Sequence, residues 1–374
     1  MHAKDKVVEI LALADVAING DRPFDIEVHD ERLYGRILAS GSLGFGEAYM
    51  DGWWDCEAID DLIFHIIRAE LDQKLSPIAL LPHYLKAKLT NRQTKSRAFE
   101  VGEKHYDIGN DLFEAMLDSR MTYTCGHWKD LAHESNNLDA AQEQKLDLVC
   151  RKLGLKQGQH VLDIGCGWGS FAKFAAQKYG AKVTGLTVSR EQVDRGRELC
   201  EGLPVDFKLQ DYREETGFYD HVVSLGMFEH VGNKNYRTYM ETAARAMRDD
   251  GLFVLHTIGH NRKTSGVDPW IEQYIFPNGI IPQSSLLARS FEGIFVMEDW
   301  QNFGPDYDPT LMAWYDHFVK AWPQLKTSGR YSDRFYRMWK YYLLACAGAF
   351  RARNIQLWQI VLSKGPVGRY DSAR

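Results

Sequence analysis

The nine residues VLDIGCGWG, Val161 to Gly169, constrain the fold of this chain more than any other stretch. Val161, Leu162 and Ile164, interrupted by the single carboxylate of Asp163, read as a strand buried on both faces, the form a parallel sheet imposes. Glycines at 165, 167 and 169 then turn the chain into a helix that begins near Trp168. Without a Cβ, the backbone of such a turn can approach a ligand closely. A strand, a glycine turn and a helix in that order place a ligand site at the carboxyl edge of an open α/β sheet.

The rest of the chain is consistent with that start. HVLDI, AKVTGLTV, VDFKLQD, DHVVSLG and LFVLHTI alternate with helical stretches, so residues 99–374 are expected to form a parallel sheet covered on both faces. FVMEDW and IQLWQIVLS close the sheet late, after an irregular, mostly helical insertion. Residues 1–72 read as a small mixed N-terminal domain. It has a helical start (KVVEILALADVAI), a strand-like FDIEVHD, a helical ERLYGRILAS, a glycine- and aromatic-rich GSLGFGEAYMDGWWDC and a helix, IDDLIFHIIRAEL. Between the two, residues 73–98 form a basic, partly helical linker. It carries Lys74, Lys86, Lys88, Arg92, Lys95 and Arg97 without one acidic residue, and Leu81, Tyr84, Leu85 and Leu89 at helical spacing. That stretch is an interdomain helix packed on protein, a patch for anionic lipid headgroups, or both.

Composition excludes several classes. Against 45 basic residues stand 51 acidic ones, a net of −6, and no basic surface for nucleic acid is implied. No apolar run approaches the ~20 residues of a membrane span. Glu9 and Asp15 interrupt the N-terminal apolar segment, so a signal peptide is not expected. The cysteines at 56, 125, 150, 166, 200 and 346 show no C-x-x-C pair and no histidine spacing for zinc. Reduced thiols in a cytoplasmic protein without a metal are the expectation.

On glycine spacing alone, the turn also fits a dinucleotide fingerprint. The form D-I-G-C-G-W-G is narrower, and it resembles the first motif of S-adenosylmethionine (AdoMet) methyltransferases. That resemblance implies a Rossmann-like class I AdoMet-dependent fold with a mostly parallel seven-stranded sheet. Gly165, Gly167 and Gly169 would wrap the methionine and ribose portions. The second strand, VTGLTVSREQ, lacks the carboxylate that commonly holds the ribose, and Thr187 and Gln192 are the polar groups near its tip. At the end of the third strand, Asp211 is placed to accept from the adenine amino group and Tyr212 to stack on the ring. Plain loop caps are the alternative for both.

Further motifs narrow the family. EKHYDIGNDLFEAMLDSRMTYTCGHW suits a lid or entrance segment. MFEHVGNKNY, LHTIG, DPWIEQYIFPNG, NFGPDYDPTLMAWY and LLACAGAFRARNIQLWQ follow it. Together with GSLGFGEAYMDGWW, they closely resemble the cyclopropane fatty acid synthases, relatives of the mycolic acid cyclopropane synthases. The resemblance covers nearly the whole chain. It implies methylene transfer from AdoMet to a cis double bond of an acyl chain in membrane phospholipid, with bound bicarbonate as base. It also implies a homodimer acting peripherally at the inner membrane surface. Cys125, Glu229, His256, Tyr307 and the backbone of Ile258 match the residues that hold the base. Tyr123, Thr124, Asp163, Cys166 and Trp168 join the glycines around AdoMet. Glu229 and His256 are expected at the tips of the fourth and fifth strands, where a histidine paired with a carboxylate can relay a proton. Cys346 of LACAGAFR has small apolar neighbours, which raise a thiol pKa, so structure or substrate proximity is favoured over a nucleophilic role. Two other readings stay open: methylation without ring closure, and a non-catalytic lipid-binding protein.

Overall fold

The computed structural model describes residues 2–71, 108–262, 266–365 and 368–374, and the basic stretch 73–98 lies outside them. The described residues fall into two compact units. One is an α/β unit of residues 108–262, 278–306, 356–365 and 368–374; the other, mostly helical, holds residues 2–71, 266–277 and 307–355.

The α/β unit is entered through helix α1 (Leu138–Leu153). Its strands are β1 (His160–Ile164), β2 (Lys182–Thr187), β3 (Val205–Leu209), β4 (His221–Leu225), β5 (Leu252–Gly259), β6 (Val296–Asn302) and β7 (Gln356–Ser363). They lie in the order 3-2-1-4-5-7-6. The first five pair in parallel, and β7 runs antiparallel between β5 and β6. Each strand-like segment read in residues 99–374 is thus a strand of one sheet.

Alternation splits the strands between two cores. Leu162, Ile164, Val222, Phe253 and Leu255 face one side, against Tyr239, Met240 and Phe291. Val161, Val183, Val223 and Val254 face the other, against Leu146, Val149 and Leu153 of α1. Burial on both faces explains why these strands are nearly continuous apolar runs.

The order places β1 between β2 and β4, where the chain changes its direction of winding. The glycine turn leaves the sheet at this switch point, the usual place for a ligand crevice. Gly169 caps helix α2 (Ser170–Tyr179) with φ 86°. A Cβ there would lie 2.5 Å from the Phe207 ring.

In the helical unit, helix Arg32–Met50 runs through the glycine-rich stretch instead of stopping at residue 40, with a kink at Gly41. Gly46 is a close-approach position: its Cβ would lie 2.5 Å from the ring of the fully buried Trp270. FDIEVHD contributes only Glu27–Val28, paired with Trp54–Asp55. Residues 266–277 and 307–355, expected within the catalytic domain, pack with residues 2–71. The reason is local: helix Asp333–Arg351 passes so close to helix Ile59–Arg68 that a Cβ on Gly348 would lie 2.3 Å from the Asp60 carbonyl oxygen.

Gly169→Ala is expected to destabilise the chain by about 2–4 kcal/mol, combining a left-handed backbone with overpacking against Phe207. Urea unfolding measures this, and an unchanged midpoint would refute the packing role.

Candidate active site

The segment carrying Cys125 is laid across the strand ends by hydrogen bonds along its length. The Asp118 carboxylate accepts from the Thr122 N–H at 2.7 Å and the Arg120 N–H at 3.1 Å, folding the segment's start. The hydroxyls of Thr122 and Ser170 share a hydrogen bond at the start of α2. Helix α1 holds the centre: Gln142 Nε2 donates to the Thr124 carbonyl at 2.7 Å, and Lys145 Nζ donates to Thr124 Oγ1 at 2.8 Å. The Thr124 methyl packs where a Cβ on Gly226, just past β4, would meet it at 2.7 Å. Cys125 is fully buried beyond it.

The three glycines of the turn differ in what surrounds them. A Cβ on Gly165 would strike Met227 at 2.5 Å, whereas one on Gly167 (φ 55°) would meet nothing within 4 Å. Gly167 is therefore where the turn leaves room for a ligand. The N–H groups of Gly165 and Cys166 donate to the Leu186 carbonyl at 2.9 and 3.0 Å, tying the turn to β2. Burial pushes the Cys166 thiol far up, which leaves it inert as a nucleophile. Asp163 is buried, its Oδ1 without a hydrogen-bond partner. Burial raises its carboxyl to about 7 against the opposing pull of Lys145. The Trp168 indole donates to Asn110 Oδ1 at 3.1 Å, and the Trp168 and Tyr123 rings both rest on Phe113, at 5.0 and 5.1 Å.

At the tip of β2, Thr187 Oγ1 donates to Gln192 Oε1 at 2.7 Å, and among the described residues no acceptor is given to the amide N–H groups of Gln192. A donor pair there can serve a ribose where a carboxylate is missing. Past β3 both residues expected near the adenine have partners within the chain. Asp211 is paired with the Arg213 guanidinium and caps the turn that follows. Tyr212 is buried edge-on against Tyr239 at 5.0 Å.

Glu229 and His256 are both fastened to β5 within two residues of each other. Glu229 Oε1 accepts from the Ile258 N–H at 2.6 Å, so this N–H is committed to the carboxyl group. The Glu229 carbonyl accepts from the Ile280 N–H at 2.9 Å. His256 does not lie at a strand tip: it sits inside β5, level with Leu225 at the end of β4, and its carbonyl accepts from the Gly226 N–H at 2.9 Å. Nor is it paired with a carboxylate. Its Nδ1 is 3.3 Å from Gln359 Nε2 on β7. With Gln359 donating, the ring proton resides on Nε2. Glu229 Oε2 and His256 Nε2 are both buried without a hydrogen-bond partner.

Burial decides the charges. It raises Glu229 to about 7. It also holds His256 well below the usual imidazole range, with Lys145 and Lys152 adding to the shift. His256 is therefore a neutral N–H donor rather than a proton relay. Tyr307 and Cys346 belong to the helical unit. The Tyr307 ring opens helix Tyr307–Thr327 and stacks on Phe350 at 4.4 Å. Burial pushes the Cys346 thiol up to about 12, with Asp268 adding to the effect.

The sequence reading missed Lys145, Gln142 and Gln359. The signal was present in α1, where Gln142, Lys145 and Lys152 share the helical stripe of Leu146, Val149 and Leu153, all of them buried. Polar residues on an apolar stripe mark a buried polar site.

The sheet order, the antiparallel β7 and the glycine turn at the switch point define an AdoMet-dependent transferase of the class I fold. Residues 93–360 match the family model described as mycolic acid cyclopropane synthetase. Over 364 residues the chain is 51% identical to the cyclopropane-fatty-acyl-phospholipid synthase of Escherichia coli strain K12, covering 96% of this chain and 92% of that protein. It is 32% identical over 353 residues to the tuberculostearic acid methyltransferase UfaA1 of Mycobacterium tuberculosis, covering 88% and 81%. The crystal structure of mycolic acid cyclopropane synthase CmaA1 complexed with SAH and CTAB matches with a TM-score of 0.64 at 29% identity, covering 71% of this chain and 98% of that one. The chain belongs to the mycolic acid cyclopropane synthetase family.

A carboxyl raised by folding binds protons that the unfolded chain has already lost. Between the ordinary glutamate range and about pH 7, stability therefore falls as pH rises. Glu229→Gln keeps the acceptor for Ile258 and removes the titration. The variant is expected to match the parent in melting temperature near pH 5 and to exceed it by several degrees near pH 8. Parallel melting curves across that range would contradict the buried, proton-binding carboxyl.

Proposed function

We propose that this chain transfers a methylene group from AdoMet to the cis double bond of unsaturated acyl chains in membrane phospholipid, forming cyclopropane fatty acids and S-adenosylhomocysteine. The observation that carries this reading is the pair of buried, unpartnered polar atoms, Glu229 Oε2 and His256 Nε2, whose residues are both tied to β5. Methyl transfer to an alkene leaves a cation, and ring closure then needs a proton acceptor where water is excluded. A built polar niche of this kind meets that need.

AdoMet supplies the methyl carbon, and the glycine turn with Asp163, Trp168 and Gln192 orients it toward the alkene, a poor nucleophile that reacts only when held on line. The alkene π pair forms the first carbon–carbon bond as the carbon–sulfur bond breaks, leaving the positive charge on the acyl chain. Tyrosine and phenylalanine faces stabilise that charge. Loss of a proton from the new methyl group frees its C–H pair to close the ring. The donor set suits bicarbonate, which would supply the base. His256 offers an N–H to one oxygen, and Glu229, raised to about 7, can meet the anion as a neutral acid rather than repel it. Cys125 joins the set on the family resemblance. Cys346, kept as a thiol, is read as lying near the substrate.

The substrate lies in a bilayer, and among the described residues no helix is long and apolar enough to cross one. We read the enzyme as cytoplasmic and peripheral, drawn to anionic lipid by the basic stretch 73–98, each cation worth about 1 kcal/mol at such a surface. Replacing Lys86, Lys88, Arg92 and Lys95 by Gln is expected to weaken salt-sensitive binding to anionic vesicles, with AdoMet affinity unchanged; equal vesicle binding would move the membrane surface elsewhere. The same reading makes the protein a homodimer, a state that sedimentation velocity reports.

Kinship with the tuberculostearic acid methyltransferase favours one second reading, methyl addition without ring closure. Methyl addition that ends in proton loss from the chain gives a branched alkene of the same mass as the cyclopropane, so proton NMR of fatty acids from cells rich in unsaturated phospholipid separates the two by the upfield ring protons that only the cyclopropane carries. Cyclopropane products are expected, with turnover that falls on bicarbonate depletion and in Glu229→Gln while AdoMet binding persists. Branched alkene products without ring protons would establish the second reading, and turnover indifferent to bicarbonate would remove the proposed base.

A further inference from the structure

We infer that Lys145 is a positioning residue for the transfer reaction: it pins Thr124, and through Thr124 the Cys125 segment, across the strand ends, and it supplies a buried positive charge beside that segment. This rests on the reading of the Cys125 segment as part of the transfer site.

The bonding of Lys145 is unusual for a lysine. Its side chain is buried, 1% exposed, on the inner stripe of α1. Its hydrogen bond goes to a neutral hydroxyl, Thr124 Oγ1, at 2.8 Å. No carboxylate among the described residues lies at salt-bridge distance from its ammonium, although Asp118, Asp163 and Cys125 all face it electrostatically. A lysine kept only to neutralise a buried acid would be expected to touch that acid. Here the ammonium is spent on Thr124 instead, and its charge acts at a distance on groups from three elements: Asp118 and Cys125 of the segment, Asp163 of β1, and His256 of β5. Lys152 is the other cation of this helix near His256, and its Nζ is 3.7 Å from Asp299.

Thr124 acts as a lever because it is fixed on two sides. Its hydroxyl is held by Lys145, and its methyl fills the space over Gly226. Gly226 in turn donates its N–H to the His256 carbonyl. A shift of Thr124 therefore displaces Cys125 relative to the β4 and β5 ends. Burying an ammonium with one neutral partner is costly. An apolar residue would pack this stripe at lower cost, so the charge is explained by the site and not by the helix.

A double-mutant cycle tests this. Lys145→Met, Thr124→Val and the double variant are compared in S-adenosylhomocysteine release on vesicles of dioleoyl phosphatidylglycerol with saturating AdoMet. Each single change is expected to lower kcat by about 10- to 100-fold, the scale of a small misplacement of reacting groups. The double variant should fall no further than the worse single, since both remove one contact. Lys145→Met should keep AdoMet affinity within about threefold by calorimetry. Loss of the positive charge makes Asp118 and Asp163 harder to ionise, so the low-pH limb of kcat should move to higher pH in Lys145→Met but not in Thr124→Val. Lys145→Gln, which keeps a donor and drops the charge, should show the same limb shift with a smaller loss of kcat, and it serves if the Met variant does not fold. Multiplicative losses in the double variant, an unmoved limb, or a near-normal kcat would each overturn the proposal. Product NMR decides ring closure separately, so a failure of the cyclopropane reading leaves the cycle on S-adenosylhomocysteine release able to decide the role of Lys145.

Discussion

Desolvation beneath the strand ends governs the chemistry of the α/β unit. Burial raises the Asp163 and Glu229 carboxyls to about 7 and lowers Lys145 to about 8, while His256 is pushed to the neutral side altogether. Acids move up and bases move down for the same reason: the charged form of each is penalised by the loss of water. Near pH 7 the two acids are therefore only partly ionised, whereas Lys145 keeps most of its positive charge.

That desolvation depends on close packing around the glycine turn. Gly165 is closed by Met227 and Gly169 by Phe207, so two of the three glycines are consumed in sealing the turn against the sheet. Only Gly167 faces open space. The motif is thus divided between packing and binding, and its sealed positions help keep water from Asp163 behind it.

The strands were legible because a parallel strand covered on both faces must be apolar along its length, and few other elements produce that pattern. The helix Arg32–Met50 was less legible. The helical reading ended at residue 40, before the glycine- and aromatic-rich stretch, whereas Gly46 is small because Trp270 occupies the place of its side chain, and Trp270 is far away in sequence. The unit boundaries were hidden for the same reason: residues 307–355 follow the sheet strands in the chain but bury their apolar faces on helices near the start of it.

The sequence by itself determined the strand inventory, the glycine turn, the family and the identities of Cys125, Glu229 and His256, because these depend on local pattern or on motifs. Only the tertiary structure decided what those residues touch. Whether His256 meets Glu229 or Gln359, whether Asp211 meets a ligand or Arg213, and whether a lysine on α1 reaches Thr124 all depend on strand register and helix docking between distant segments. Protonation follows from the same source, since a pKa is set by the water excluded and the charges brought near, and neither is written in the spacing of residues along the chain.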